Sequence, residues 1–182
     1  MPRLELPDPP LQDGVVALRA HREADVPAIV RACQDPEIAR WTTVPSPYGE
    51  ADAQRWVAGR RAAREQGDSL DLLVVGAGGD ELLGSLGLVA VRSDDGVAEI
   101  GYWLSRPARG RGLAARALEL LSAWALGPPL DLPALEVLVD PRNGPSRRLA
   151  ERCRFTASGD RRLVPATADG LLQETDVYRR DS

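Results

Sequence analysis

The spacing of apolar residues predicts helices in the first third of the chain and strands in the middle. Apolar residues between Val26 and Cys33 recur at i, i+3, i+4 and i+7, directly after Asp25, a residue type that caps helix N-termini. Runs rich in Leu and Val, bounded by Gly-containing turns, predict strands farther along. The predicted elements are a strand at 15–19, helices at 26–33, 35–41 and 50–66, strands at 70–75, 82–91 and 97–104, a helix at 112–126, a strand at 135–139, a helix at 145–152, and strands that begin at 155 and span 171–179.

This order of elements predicts a mixed α/β (α+β) domain built around a single sheet. No internal repeat is evident, and no linker divides the chain. The domain is expected to span residues 14–182. Residues 1–13, a short segment rich in proline, are predicted to form a flexible N-terminal arm.

Composition and charge exclude several classes of protein. The 182 residues carry a net charge of −4, so no overall positive field attracts nucleic acid. No apolar run reaches the roughly 18 residues of a membrane span, and residues 1–11 lack the apolar stretch of a signal peptide, so the cytoplasm is the expected location. Cys33 and Cys153 fit no zinc spacing and are expected to be free buried thiols, so no metal is predicted.

The abundance of arginine has limited meaning in this chain. All 23 basic residues are arginine, and lysine is absent. Such a bias indicates codon pressure and not phosphate recognition. The arginines between positions 142 and 162 therefore fit either a phosphate site or a solvated face.

One segment, residues 99–114, has the pattern of an anion-binding turn. A strand ends, a short loop follows, and a helix begins within a turn that holds Gly110 and Gly112. The first turn of a helix exposes unpaired N–H groups with partial positive charge, and glycine lets an anion approach the backbone closely. Arg109 and Arg111 add full positive charges. The segment therefore predicts a site for a pyrophosphate.

Other phosphate-binding patterns fit the sequence less well. A dinucleotide-binding G-x-G-x-x-G turn would need glycine at Ala115, and the Gly-Lys-Ser/Thr of a P-loop is missing. The glycine-rich residues 76–80 are not followed by a helix start, which favours a hairpin turn there. An exposed basic turn without a ligand remains an alternative for residues 109–114 considered alone.

Residues 109–114 resemble the R/Q-x-x-G-x-G/A acyl-CoA signature of the GNAT N-acetyltransferases. The strand before them, at 100–104, is similar to the RimJ/RimL-like branch of that family. The resemblance covers nearly the whole chain, about residues 15–178, with its segments in order. Those segments also include the first strand and helix start at 18–25, the acceptor-side helices at 35–41 with the loop at 45–48, and a second CoA motif at 140–146 with Leu149 and Phe155.

The resemblance implies a GNAT fold, in which a mixed, mostly antiparallel sheet splays open at the acyl-CoA site and carries helices on both faces. Acetyl-CoA would be the co-substrate. Its pantetheine arm would pair with the free strand edge near Trp103, Leu104 and Ser105, which satisfies exposed backbone groups. Its pyrophosphate would lie on the N–H groups of Arg109, Gly110, Arg111, Gly112, Leu113 and Ala114.

Asn143 and Ser146 match the Asn-x-x-Ser of the second motif. The resemblance implies that Asn143 binds the pantetheine arm and that Ser146 protonates the leaving thiolate, although both residue types also fit plain helix caps. Many relatives outside this branch carry a tyrosine farther along the same helix. Ala150 occupies that place, so no tyrosine acid is expected from this helix, and Arg154 replaces the usual glycine before Phe155.

Glu99 is the candidate base of the reaction. An α-amino group has a pKa of about 7.7–8.0 and needs little help at neutral pH, whereas a lysine amine would cost about 4–5 kcal/mol to deprotonate. A weak base acting through water would suffice for the α-amine. The alternative for Glu99 is an exposed strand carboxylate. A backbone N–H near Leu104 would meet the developing oxyanion.

Aromatic residues on the other side of the expected cleft are candidates for the acceptor pocket. Trp41 and Tyr48 are predicted to line it, with simple core packing as the alternative. His21, the single histidine, is a weaker candidate for a catalytic role.

These expectations together describe a cytoplasmic enzyme that transfers an acetyl group from acetyl-CoA to a primary amine. The branch resemblance favours a protein N-terminal α-amine as the acceptor. A small-molecule amine, such as an antibiotic or a polyamine, and a CoA-binding regulatory module without turnover are the alternatives. No nucleic-acid or membrane partner is expected. Relatives are often dimers, so a homodimer is a further expectation.

Overall fold

The computed structural model describes residues 4–79, 81–92, 95–165, 168 and 170–182. Its strands are β1 (Leu11–Gln12), β2 (Val16–Arg19), β3 (Leu70–Gly76), β4 (Leu82–Val91), β5 (Ala98–Leu104), β6 (Ala134–Val139), β7 (Thr156–Pro165) and β8 (Leu172–Asp181). Its helices are α1 (Val26–Cys33), α2 (Pro36–Trp41), α3 (Glu50–Gln66), α4 (Leu113–Leu126) and α5 (Gly144–Arg152). Short 3-10 turns, Glu23–Asp25 and Arg106–Ala108, precede α1 and α4.

Within the described residues the strands form one eight-stranded sheet, in the order β1-β2-β3-β4-β5-β6-β8-β7. Every neighbouring pair is antiparallel except β5 and β6, which run parallel. Helices α1 and α3 pack on one face, and α4 and α5 pack on the other. The predicted fold class, a mixed and mostly antiparallel sheet between helices, is confirmed.

Strand β3 shows how the two layers share the sheet. Leu72 and Val74 belong to the apolar cluster beneath α4 and α5, whereas Leu73 and Val75 belong to the cluster beneath α1 and α3. Successive side chains of a strand point to opposite faces, so a strand covered on both faces needs an unbroken apolar run. The Leu-Leu-Val-Val sequence supplies that run.

The sheet opens between β5 and β6. These two strands pair only at Ala98 with Leu135 and at Glu99 with Glu136. On its other side β5 stays paired with β4 as far as Leu104, opposite Gly84. The backbone of residues 100–104 therefore has a free edge on the β6 side, as the predicted splayed sheet requires.

Of the predicted flexible arm, residues 1–13, the described residues from Leu4 onward pack against the domain. Leu4 is 5% exposed, its N–H donates to the carbonyl oxygen of Arg64, and its own carbonyl accepts from the Arg64 guanidinium. Leu11 and Gln12 form β1 against β2. A buried leucine and a strand pair anchor a segment whose proline content had suggested a loose chain.

Most predicted element bounds hold, but one predicted cap does not. The bounds of α3 are those predicted, and Gly67 ends the helix in the left-handed conformation with a φ of 80°. Asp25 precedes α1 without a side-chain capping bond to that helix. Its carboxylate instead binds the Arg19 guanidinium at 2.7 and 2.8 Å, because a charged donor on β2 competes with the helix N–H groups. The predicted turn residues Asp80, Ser93 and Asp94 lie outside the described residues.

Three structural facts bear on the excluded classes of protein. Among the helices of the described ranges, none has both the length and the apolar character to span a bilayer. In the same part of the chain, no group of His, Cys, Asp and Glu side chains could hold a metal ion. Cys33 and Cys153 are buried, free thiols.

Candidate active site

A cavity of about 1100 Å³ lies where the sheet opens, and it contains both ends of the predicted site. One end is formed by β5, the turn before α4 and the start of α5. The other end is formed by α2, the loop after it and the first turns of α3. We call these the donor end and the acceptor end. Residues from 99 to 104 line the cavity along its length.

The free edge of β5 offers backbone groups to the cavity at alternate residues. The N–H of Ser105 donates to the carbonyl oxygen of Leu83 at 2.9 Å, so the backbone of Ser105 faces β4. Along an antiparallel pair of strands, the backbone N–H and C=O groups of every second residue point to the partner strand. The backbone groups of Trp103 therefore also point to β4, and those of Tyr102 and Leu104 point to the opening. Of the three residues predicted to hold pantetheine, Leu104 alone presents its backbone to the cavity by this register. Ser105 is excluded because its N–H is already used.

Side chains of β5 alternate between the two faces in the same way. Ile100, Tyr102 and Leu104 belong to the apolar cluster beneath α4 and α5. Trp103 belongs to the cluster beneath α1 and α3, the face on which Glu99 also lies by alternation. The predicted base thus faces the acceptor end.

The turn before α4 is open above its backbone. Gly110 and Gly112 have φ angles of 73° and 75°, a conformation that non-glycine residues rarely adopt. A Cβ placed on either glycine would meet no atom within 4 Å, so the space there is free for a ligand. The first N–H groups of α4 have no partner within their helix. This geometry suits a pyrophosphate, as the sequence predicted.

The arginines of this turn differ in their contacts. The Arg109 guanidinium donates to the carbonyl oxygen of Leu104 from Nε at 3.0 Å and from Nη2 at 2.8 Å, and its Nη1 lies 2.9 Å from Oδ2 of Asp35. Arg116 pairs with Asp13 at 2.7 Å. Arg111 is exposed on the turn itself. The guanidinium of Arg109 is therefore held by Leu104 and Asp35, although the residue is exposed and lines the cavity.

Asn143 and Ser146 meet at the start of α5. Oδ1 of Asn143 accepts the N–H of Ser146 at 3.1 Å, so Asn143 caps this helix. The Ser146 hydroxyl lies 2.7 Å from the hydroxyl of Tyr102, and both residues line the cavity. Burial raises the pKa of Tyr102 to about 12, against which the bond to Ser146 has a smaller, lowering effect.

Tyr102 is the residue that sequence reasoning missed. At the position on α5 where many relatives carry a tyrosine, this chain has Ala150, which is buried in the core. The structure supplies a tyrosine hydroxyl from β5 instead. The alternation of side chains along β5 could have placed Tyr102 on the face of the sheet that α5 covers. That α5 packs next to β5 could not be predicted, because it depends on the tertiary fold.

Glu99 lines the cavity and is partly buried. Among the described residues its carboxylate has neither a hydrogen bond nor an ion pair. Burial raises its pKa above the usual range, the positive charge of Arg162 opposes that shift, and the negative charge of Glu136 adds to it. Glu136 is itself neutralised by Arg92 at 2.8 Å and Arg162 at 2.6 Å. Glu99 is thus a carboxylate with raised basicity at the wall of the cavity.

Aromatic rings and carboxylates form the acceptor end. Trp41 lies at the wall and donates its indole N–H to Glu37 at 3.0 Å. Tyr48 also lines the cavity and is 8% exposed. Two further residues of the wall, Asp52 and Asp71, were not predicted from the sequence. The two predicted aromatics therefore line the cavity, together with carboxylates that are paired with arginines.

His21 does not line this cavity. Its ring packs edge-on against Trp56 with 4.4 Å between the ring centres, and within the described part of the chain its buried Nε2 has no hydrogen-bond partner. Burial lowers the pKa of His21 from 6.5 to about 4. The ring of His21 packs against Trp56, which lines the cavity, but His21 itself does not reach the cavity.

The arginines between positions 142 and 162 differ in their surroundings. Arg142, Arg154 and Arg161 pair with acidic neighbours on the surface, and Arg162 pairs with the buried Glu136. Arg148, within α5, and Arg152, its last residue, line the cavity. A phosphate role is thus restricted to a part of this cluster.

Comparison with known proteins identifies the class of enzyme. Residues 16–156 match the model of the acetyltransferase (GNAT) domain. The chain therefore belongs to the GNAT acetyltransferase family, and the expected enzyme class, an acyl-CoA-dependent acetyltransferase, is confirmed.

Individual relatives agree with this assignment. The chain is 25% identical to an uncharacterized N-acetyltransferase, p20, of Bacillus licheniformis over 163 residues, which is 90% of this chain and 89% of that protein. The structure of Mycobacterium smegmatis RimJ in complex with a CoA disulfide is similar with a TM-score of 0.81 and 23% identity, covering 95% of this chain and 86% of that one. A Salmonella typhimurium acetyltransferase that modifies the N-terminal serine of ribosomal protein L7/L12 is similar with a TM-score of 0.79 and 20% identity, covering 95% and 99%. The predicted RimJ/RimL-like resemblance is confirmed at the level of fold.

Proposed function

We propose that this acetyltransferase moves the acetyl group of acetyl-CoA to a primary amine, and that the amine is the α-amino group of a protein N-terminus. The arrangement around β5 carries the proposal. Glu99 lies on one face of the strand, the hydroxyl pair of Tyr102 and Ser146 lies on the other, and the free backbone edge runs between them. A thioester on that edge has a base on the amine side and a proton donor on the thiol side.

The donor end fits acetyl-CoA through backbone groups. A pantetheine arm laid along β5 satisfies the open backbone groups of Tyr102, as an added strand would, while the carbonyl oxygen of Leu104 is already held by Arg109. The N–H of Leu104 then points at the thioester oxygen and stabilises the oxyanion that forms there. The pyrophosphate occupies the space above Gly110 and Gly112, with Arg111 beside it.

Glu99 serves as the base for the attacking amine. The amine nitrogen forms a bond to the thioester carbonyl carbon and loses a proton, which Glu99 takes through a water molecule. An α-amino group with a pKa of about 7.7–8.0 is partly neutral at pH 7, so a carboxylate with a raised pKa is strong enough. A lysine amine, near about 10.4, would need a stronger base.

The hydroxyl pair protonates the leaving group. When the carbon–sulfur bond breaks, the electron pair stays on sulfur and the thiolate takes a proton. Two hydroxyls 2.7 Å apart use one proton in their mutual hydrogen bond, which leaves the other O–H free to donate into the cavity. Because burial raises the pKa of Tyr102 to about 12, that hydroxyl stays protonated through the physiological range.

The acceptor end supports an acceptor that binds through individual polar contacts. Glu37, Asp52 and Asp71 lie in its wall, each paired with an arginine, whereas the Glu99 carboxylate has no such partner among the described residues. The N-terminus of an extended peptide is slim enough to enter such a cavity. The similar Salmonella enzyme modifies the N-terminal serine of a ribosomal protein, which adds weight to this class of acceptor.

Release of free thiol from acetyl-CoA tests the proposal. The protein is mixed with acetyl-CoA and a lysine-free peptide that begins with serine, and the control is the same peptide with its N-terminus blocked. We expect thiol release that depends on the free α-amine. Spermidine and an aminoglycoside, assayed in parallel, represent the small-molecule alternative.

Each outcome of this assay separates the candidates. Release with the small amines alone would replace the protein N-terminus by a small-molecule acceptor. Tight binding of coenzyme A without release for any acceptor would favour a regulatory module and contradict the catalytic proposal.

A further inference from the structure

Arg109 joins the two ends of the cavity. Its guanidinium holds the carbonyl oxygen of Leu104 at the end of β5, and its Nη1 lies 2.9 Å from Oδ2 of Asp35. Asp35 stands directly before α2, the helix that carries Glu37 and Trp41 into the acceptor wall. One side chain from the donor turn therefore contacts the N-terminus of an acceptor helix.

Asp35 depends on this contact for its charge compensation. Oδ1 accepts the N–H of Glu37 at 3.1 Å and so caps α2. Oδ2 is buried and makes no hydrogen bond of good geometry among the described residues, yet the Arg109 guanidinium stands beside it. The ion pair with Arg109 therefore compensates the negative charge on this oxygen. Removal of either partner leaves the charge of the other uncompensated.

We propose that Arg109 is a positioning residue that holds α2 against the end of β5, and that it is not a phosphate ligand. This inference rests on the proposed function, because it assigns α2 to the acceptor side of that reaction. We expect Arg111, exposed on the same turn, to be the arginine that contacts the pyrophosphate. The two arginines of one short signature then have different roles.

Asp35→Asn isolates the ion pair. Asparagine keeps a side-chain oxygen for the cap of α2 and removes the charge that faces Arg109. We expect the KM for a serine-initiated peptide to rise at least about fivefold, and the Kd of coenzyme A to stay within about twofold of the parent value. Arg111→Ala should give the opposite result, a weaker Kd for coenzyme A with a similar peptide KM.

Asp13→Asn is a matched control. Like Asp35, Asp13 uses its two carboxylate oxygens differently. Its Oδ1 accepts the backbone N–H groups of Val15 and Val16, and its Oδ2 accepts a hydrogen bond from Arg116 of α4. The substitution removes the same charge from a similar arrangement that does not touch α2. We expect peptide KM and coenzyme A Kd to match the parent protein.

Hydrogen exchange provides a readout that needs no turnover. Amides of α2 should exchange several-fold faster in Asp35→Asn than in Asp13→Asn, with coenzyme A present or absent. Equal exchange in the two variants, or a loss of coenzyme A affinity in Asp35→Asn as large as in Arg111→Ala, would overturn the positioning role. If the parent protein acetylates no peptide, the proposed function fails while the exchange result still decides the role of Arg109.

Discussion

The donor end of the cavity is bounded mainly by backbone groups, whereas the acceptor end is bounded mainly by side chains. At the donor end the ligand space is bounded by backbone: the free edge of β5, two glycines at φ near 73° and 75°, and the first N–H groups of α4. At the acceptor end it is bounded by side chains from α2, α3 and β3, among them Trp41, Asp52 and Asp71. The donor end therefore recognises a ligand through chain geometry, and the acceptor end through chemistry of individual residues.

This difference explains which end the sequence could predict. Glycine spacing at a strand–helix junction is local, so residues 109–114 indicated an anion site directly. The acceptor wall combines segments far apart in the chain, and its members resemble ordinary core or surface residues. Predictions about each end should accordingly separate into effects on acetyl-CoA and effects on the acceptor.

Removal of both hydroxyls should have the largest effect, because the hydroxyl pair serves the step where the two ends meet. In Tyr102→Phe with Ser146→Ala we expect kcat to fall about a hundredfold, the range in which general acid catalysis contributes. Each single variant should lose much less, about threefold, since the remaining hydroxyl can still donate. Acetyl-CoA KM should change little in a steady-state assay.

Additive losses in these variants would contradict a shared role. If Ser146→Ala leaves kcat unchanged, Ser146 has only a structural role in the first turn of α5 and is not the acid. Circular dichroism and thermal melting of each variant separate a loss of chemistry from a loss of folding.

Glu99→Gln should reduce turnover by about tenfold at neutral pH, because the acceptor loses its base while the donor end is intact. The carboxylate acts only when ionised, and burial raises its pKa. In the parent protein kcat/KM should therefore fall as the pH drops through that raised value, above the usual glutamate range. The acidic limb assigned to Glu99 should vanish in the variant. An unchanged acidic limb in the pH profile would remove Glu99 from the mechanism.

Gly112→Ala should weaken acetyl-CoA about fivefold without altering the acceptor KM. A Cβ at this position meets no protein atom within 4 Å, so the loss of affinity comes from the methyl group in the ligand space, whereas holding alanine at positive φ costs about 1–2 kcal/mol of folding stability. Calorimetric titration with coenzyme A measures it. Gly59→Ala, a change within α3 that meets no atom, is the control for a general effect of added methyl groups.

His21→Phe should have the smallest effect on catalysis and a visible effect on stability. The folded pKa of about 4 lies below the unfolded value of 6.5, so the unfolded state binds more protons between these values. The free energy of unfolding should therefore fall as the pH drops from 7 to 4, with about 3 kcal/mol attributable to His21. Phenylalanine keeps the ring against Trp56 and should remove that part of the pH dependence in urea unfolding curves. Parallel curves for the two proteins would contradict the burial of a neutral His21.

Much of the fold could be predicted from the sequence. Periodicity placed α1, α2 and α3, and the Leu- and Val-rich runs placed β3 to β5. Packing of the N-terminal segment was missed, because the burial of Leu4 depends on Arg64, sixty positions away. Local sequence patterns predict secondary structure well, but they do not predict contacts between residues far apart in the chain.

The site was predictable only in part, for the same physical reason. The open edge at Leu104 and the glycine turn followed from the resemblance and from local geometry. The capture of Arg109 by Asp35 and the contact of Tyr102 with Ser146 join segments more than forty residues apart. Side-chain partners of that kind depend on how the helices pack onto the sheet, which no local pattern encodes.

Localisation of the transferred acetyl group tests the central proposal most directly. A peptide that carries both a free N-terminal serine and an internal lysine is incubated with the protein and acetyl-CoA, and tandem mass spectrometry identifies the modified nitrogen. We predict acetylation of the α-amine, with the lysine unmodified. Acetyl groups on the lysine, or none on this peptide while a small amine is acetylated, would contradict the proposal.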